Sequence, residues 1–124
     1  MASERQRAAV EALDVQPDDR ILELGCGHGV AATLVCDQLG PDGHLTAIDR
    51  SPKMIEAATA RNAAYVEAGL VTFICASFGD ADLDGQSFDK VFGIHFPPAD
   101  RHAPAGTRER VDSLLAPGGI ARWF

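Results

Sequence analysis

The stretch RILELGCGHGV, Arg20 to Val30, limits the fold more than any other feature of this chain. An apolar run of strand length passes directly into closely spaced glycines and then into a helical pattern. Glycine permits positive φ and close approach of the backbone to a ligand, so such a turn opens a β-α-β unit. Turns of this kind usually cradle phosphate. A dinucleotide fingerprint, GxGxxG, needs its last glycine where Val30 stands. Here Gly25 and Gly27 match and Gly29 comes early, giving GxGxG. A Walker loop is excluded, because no Gly-Lys-Ser/Thr follows. Glu23, two residues before the first glycine, points a carboxylate into the ligand region. It would repel a pyrophosphate and attract an ammonium group.

The flanking sequence extends the unit in both directions. Ser3 to Leu13 reads as a short helix with Ala9, Val10 and Leu13 on one side, broken by Pro17. VAATLVCDQL continues from Val30 with helical spacing to Leu39, and Gly40-Pro41 stops it. HLTAID, residues 44–49, is a second strand. Ser51 is an N-cap with Pro52 at the first helical position, where a missing N–H costs nothing. That helix is expected to reach about Ala68, with Met54, Ile55, Ala58 and Tyr65 on its buried face. VTFICA is a third strand, and FDKVFGIHF a fourth after a polar loop. A helix from Thr107 to about Ala116 precedes an APGG turn, and IARWF begins a fifth strand. Strands alternating with helices imply parallel pairing and right-handed crossovers, with ligands at the carboxyl ends of the strands. The glycine turn, Asp49, Ser77 and His95 converge on that edge. The whole chain, 1–124, reads as one domain.

Composition narrows the function classes. The formal net charge is −7 over 124 residues, whereas nucleic-acid binders normally carry a basic face, so no nucleic-acid partner is expected. No apolar run approaches the ~20 residues of a membrane span, and the charged N-terminus has no signal-peptide core. A cytoplasmic protein without a membrane partner is the expectation. Cys26, Cys36 and Cys75 read as reduced, partly buried thiols. No CxxC or paired Cys/His spacing points to zinc. Asp80, Asp82 and Asp84 lack the glycine and distal Glu of a calcium loop and read as a solvated loop, so no metal is expected.

Asp49 lies at the end of the second strand, 20 positions after Gly29, where an acidic residue accepts hydrogen bonds from ribose hydroxyls. A ligand with a ribose, an amine near the glycine turn and no need of phosphate satisfies both carboxylates. S-adenosylmethionine has these features. An NAD-dependent oxidoreductase fails on Glu23 and on the GxGxG spacing.

At this point the sequence resembles the class I S-adenosylmethionine-dependent methyltransferases. ELGCGHG resembles their first motif, [DE]xGxGxG, and TAIDRSPKM their acidic second motif. SFDKVFGI resembles the entry to their fourth strand, and LLAPGG the turn before their fifth. The resemblance covers about residues 17 to 123. It implies a Rossmann-like α/β three-layer sandwich with parallel strand order 3-2-1-4-5. It also implies that Glu23 and the backbone of Gly25, Cys26 and Gly27 hold the methionine end of the cofactor, with His28 and Gly29 as further cofactor neighbours. Asp49 would bind the ribose, and Arg50, Ser51 and Met54 would border the adenine. Where the family often places an adenine-binding aspartate, this chain has Ser77, with Phe78 beside it and Asp80 as a later candidate. The family fold has seven strands, and the last two are expected to be absent here. That expectation carries two others: a homodimer covering the open edge, and, as an alternative to an enzyme, a truncated non-catalytic cofactor-binding module.

For the chemistry, His95, just past the fourth strand, is the best-placed general base and a further cofactor neighbour. His28 belongs to the helix start, His102 to a solvated loop, and His44 and Asp89 to structural positions away from the site. Arg108 and Arg110 read as an exposed helix face. Amino-methylating DNA enzymes carry [DNS]PP[YFW] at this point. Phe96 and Ala99 stand where their polar anchor and stacking aromatic would be. Methyl transfer to a small-molecule acceptor is therefore the expected function.

Overall fold

The computed structural model describes residues 2–94, 96 and 106–124. The elements run α1 (Glu4–Leu13), β1 (Arg20–Leu24), α2 (Val30–Cys36), β2 (His44–Asp49), α3 (Pro52–Arg61), α4 (Ala63–Glu67), β3 (Val71–Cys75), β4 (Phe88–Gly93), α5 (Thr107–Leu114) and β5 (Leu115–Trp123). The five strands form one sheet in the order β3-β2-β1-β4-β5, and every neighbouring pair is parallel. This is the doubly wound arrangement that the alternation of elements implied.

Side chains alternate across β1 and so feed two cores. Ile21 joins Val10, Leu13, Ala32, Val35 and Leu45 beneath α1 and α2. Leu22 and Leu24 join Ile48, Leu83, Val91, Val111 and Leu114 beneath α5. Glu23 shares the parity of Ile21 and lies on the α2 side of the sheet, only 2% exposed.

Local chemistry sets the boundaries. Ser3 caps α1 through a capping box with Gln6, and Ser51 caps α3 by accepting from the Met54 amide at 3.3 Å. Lys90 Nζ lies 2.6 Å from Asp19 Oδ2 and 2.5 Å from the Asp14 carbonyl. It pins the loop before β1 to β4 at the end of the sheet away from the glycine turn. His44 bridges the Gly69 carbonyl and the Thr72 hydroxyl, and Asp89 accepts the Arg20 amide at 2.8 Å. Both are the structural residues expected.

Four details differ from the sequence reading. Helix α2 ends at Cys36, before Leu39. The helix expected through Ala68 breaks at Asn62, and of its expected buried face only Ala58 is fully buried. APGG is not a separate turn but a bulge inside β5. Phe88 pairs with Leu115 and Lys90 with Ile120, so the intervening residues loop out with Gly118 at φ 81°. Cys26 and Cys36 are buried as expected, whereas Cys75 is exposed.

Candidate functional site

The carboxyl ends of β1, β2 and β4 open into a cleft of about 350 Å³. Its floor is the glycine turn. Gly25, Gly27 and Gly29 have φ of 73°, 55° and 86°, values that L side chains rarely adopt. The turn crosses the end of β2, where the Gly25 and Cys26 amides both donate to the Ile48 carbonyl, at 2.9 and 3.0 Å. Gly29 is glycine for a second reason: a Cβ there would lie 2.9 Å from the backbone of Ala58. Only a bare backbone lets α2 start this close to α3.

Two carboxylates face the cleft, and their environments differ. Asp49 is held by backbone: Oδ2 accepts from Gly27 N and Oδ1 from Ser51 N, each at 2.9 Å. Glu23 is buried, and its Oε1 has no hydrogen-bond partner among the described residues. Burial, with a lesser contribution from the Asp49 charge, pushes its pKa from 4.5 up to about 8. A buried polar atom without a partner carries a large desolvation penalty, which a ligand donor relieves. Burial and the two carboxylates likewise push the Cys26 thiol well above its ordinary range, so it stays neutral and packs against the turn.

Glu23, Gly25, Cys26, Gly27, His28 and Asp49 all line this cleft, as the sequence led us to expect. Gly29 lies just behind it, packed on α3. Ser51 serves as the helix cap, Met54 is half-buried and Arg50 is exposed, and none of them lines the cleft. Ser77 bonds to Asp80 in a tight turn after β3. Phe78 turns into the core beneath α5, with the Arg110 guanidinium 4.8 Å from its ring centroid. Arg110 corrects the reading of an exposed helix face. It is half-buried and donates to the Phe78 and Ala81 carbonyls. His95 and His102 lie outside the described residues.

The sequence reading missed five contributors to the cleft wall, two of which, Val30 and Ala31, lie in the first turn of α2. Gln6 reaches it from α1, and Ile94 and Phe96 close it past β4. Gln6 carried no signal in the sequence beyond its place in the first helix. Phe96 had been read only for the polar group it lacks.

Residues 21–119 match the family of methyltransferase domains. The chain belongs to the class I S-adenosylmethionine-dependent methyltransferases. This methyltransferase domain superposes on a SAM-dependent methyltransferase from Thiobacillus denitrificans, solved with S-adenosyl-L-homocysteine. The TM-score is 0.77 at 27% identity, covering 99% of this chain and 48% of that one. A corresponding enzyme from Geobacter sulfurreducens, also with S-adenosyl-L-homocysteine, gives 0.76 at 26% identity over the same shares. Among curated proteins, the domain is 33% identical over 88 residues to ribosomal RNA small subunit methyltransferase H of Lactiplantibacillus plantarum. That match covers 69% of this chain and 28% of the relative. The methyltransferase domain thus spans about half the length of the two solved structures and little more than a quarter of the curated relative.

Proposed function

We propose that the cleft binds S-adenosylmethionine and that the domain serves methyl transfer to a small-molecule acceptor. The observation that carries this reading is the unpartnered Glu23 oxygen beside a backbone-braced Asp49. A cationic amine fits the first and ribose hydroxyls fit the second. Both Asp49 oxygens keep a free lone pair after accepting one amide each. The fit extends to the turn itself, whose positive-φ glycines leave its backbone bare toward the ligand.

When bound, the cofactor supplies an already activated methyl group. The chain's own task is then to position an acceptor and exclude water. Ile94 and Phe96 give the cleft an apolar wall on the β4 side, suited to the second task. In this reading the adenine lies beyond the cleft beside Arg50, Ser51, Met54 and Ser77, and His95 acts as general base, whereas Phe78, buried beneath α5, does not reach the cofactor. Net charge −7 favours a small molecule over a nucleic acid. A cytoplasmic setting is supported by the free thiols. No helix among the described residues is long and apolar enough to cross a membrane. A homodimer is supported by Ile120, 38% exposed on the edge strand β5. Light scattering showing a monomeric mass at micromolar concentration would remove the dimer.

The rival is a cofactor-binding module without activity of its own, which would present the same cleft and the same two carboxylates. Calorimetric titration with S-adenosylmethionine, S-adenosylhomocysteine and NAD tests the cofactor: binding of the first two alone is expected. No binding of either to the folded protein would overturn the assignment. Turnover on a panel of phenols, amines and carboxylates then separates enzyme from module, and replacing His95 with Gln tests the base.

A further inference from the structure

Helix α3 grips the glycine turn at both ends. At its start, Asp49 joins the amides of Gly27 and Ser51. At its end, Arg61 Nε donates to the His28 carbonyl at 3.2 Å, and Asn62 follows. Asn62 is 2% exposed, and its amide is fully used. One N–H goes to the Gly29 carbonyl at 3.1 Å and the other to the Ala58 carbonyl at 3.0 Å. Its Oδ1 accepts from the Thr33 hydroxyl, in α2, at 2.6 Å. A Cβ on Gly29 would sit 2.8 Å from Asn62 Nδ2, so the glycine and the amide are fitted to each other.

We propose that Asn62 is a positioning residue for the cofactor turn. Through the Gly29 carbonyl and Thr33 it sets where α2 begins, and so how the Gly25–Gly29 backbone faces the cleft. No other side chain of this size offers two donors and an acceptor in one plane. Aspartate lacks the donors, and leucine keeps the shape without the bonds. The break between α3 and α4 falls at this residue because the side chain turns inward to serve the turn. The effect on ligand binding rests on the reading of the cleft as an S-adenosylmethionine site.

The test compares Asn62→Leu, the milder Thr33→Val, and Leu83→Ala, which opens a cavity in the core under α5. Each is measured for S-adenosylhomocysteine affinity, melting temperature, and amide hydrogen exchange at Gly27 and Gly29 without ligand. Asn62→Leu is expected to weaken affinity by about tenfold or more and to speed exchange at the two glycines by about as much, relative to β1 amides. Thr33→Val should move both in the same direction by less. Leu83→Ala should lower the melting temperature while changing either quantity by no more than about twofold. Equal losses in Asn62→Leu and Leu83→Ala at matched destabilisation would overturn the proposal. If the wild type binds no S-adenosylhomocysteine, the cofactor reading fails. Faster exchange at Gly27 and Gly29 in Asn62→Leu would still uphold the positioning role, and unchanged exchange would end it.

Discussion

The Gly27 amide donates to Asp49 Oδ2 at 2.9 Å, across the gap between the turn after β1 and the turn after β2. The other oxygen of the same carboxylate takes the Ser51 amide. One side chain therefore ties two turns together before any ligand arrives. Asp49→Asn is expected to break this geometry, because the new NH₂ must face a backbone donor. We expect a loss of ~1–3 kcal/mol in denaturant unfolding of the ligand-free protein, together with weaker S-adenosylhomocysteine binding. A variant as stable as the wild type would show that the tie contributes nothing to folding.

Glu23 makes stability depend on pH. Its folded pKa is raised from 4.5 to about 8, so between those values the folded state holds a proton that the unfolded state releases. Ligand-free stability should be highest below about 4.5 as far as this group is concerned, and should fall as pH rises toward about 8. Glu23→Gln removes that slope. A cationic amine reverses the preference by favouring the carboxylate, so ligand binding below pH 8 should release a proton and tighten as pH rises. Melting temperatures across pH for the two proteins, and calorimetry in buffers of different ionisation enthalpy, check both statements. Identical slopes for wild type and Glu23→Gln would locate the dependence elsewhere.

The glycines of the turn should not be equally sensitive. At Gly27 a Cβ meets nothing within 4 Å, so Gly27→Ala suffers only from its φ of 55°, about 1 kcal/mol. At Gly29 the φ of 86° combines with contacts of 2.9 Å to Ala58. Gly29→Ala should cost about 2–4 kcal/mol, because α2 and α3 must separate. Chemical denaturation of the two variants side by side tests the order, and a larger loss at Gly27 would contradict it.

Lys90 and Asp19 form an ion pair in which each side chain is 11% exposed. Lys90→Met leaves Asp19 without its cation in a shielded site, although the Gln16 amide still donates to it. A destabilisation of about 2–4 kcal/mol is expected, with cofactor affinity of the remaining folded protein unchanged. Replacing both partners with apolar residues should recover most of the loss.

Arg110 serves the loop after β3 through two carbonyls and the ring of Phe78. Lysine has the charge but not the planar fork, so Arg110→Lys should behave more like Arg110→Ala than like wild type. Proteolysis at the exposed residues 84–86 provides the readout: faster cleavage in both variants is expected, and protection in Arg110→Lys would show that charge alone suffices.

The strand boundaries from β1 to β3 were legible because buried parallel strands are short apolar runs between punctuating residues. Arg20–Leu24 and His44–Asp49 needed no tertiary information. Ser51-Pro52 marked its helix start for the same reason, since a cap is local chemistry. What stayed hidden is made by partners distant in sequence. The break at Asn62 has no local signal: the residue faces Gly29 and Thr33, more than a helix length away along the chain. Arg110 reads as a surface charge until the β3–β4 loop is folded beneath it. APGG has the composition of a turn, and only pairing with β4 shows it to be a bulge. Of the site, the two carboxylates and the glycines were readable from spacing, whereas the wall of Gln6, Ile94 and Phe96 depends on how three separate segments meet.

That bulge also bears on which strands can add to the open edge of the sheet. An edge strand displays a row of unpaired backbone donors and acceptors, a template on which a foreign strand can add. In β5 the row is interrupted between Leu115 and Ile120, with Pro117 contributing no donor and Gly118 twisting the chain out of plane. Gly119 lies so close to the Phe88 and Asp89 carbonyls that a Cβ would sit about 3 Å from both. Straightening this segment into a regular strand would lengthen the flat edge, and the first consequence expected is fibrillar aggregation.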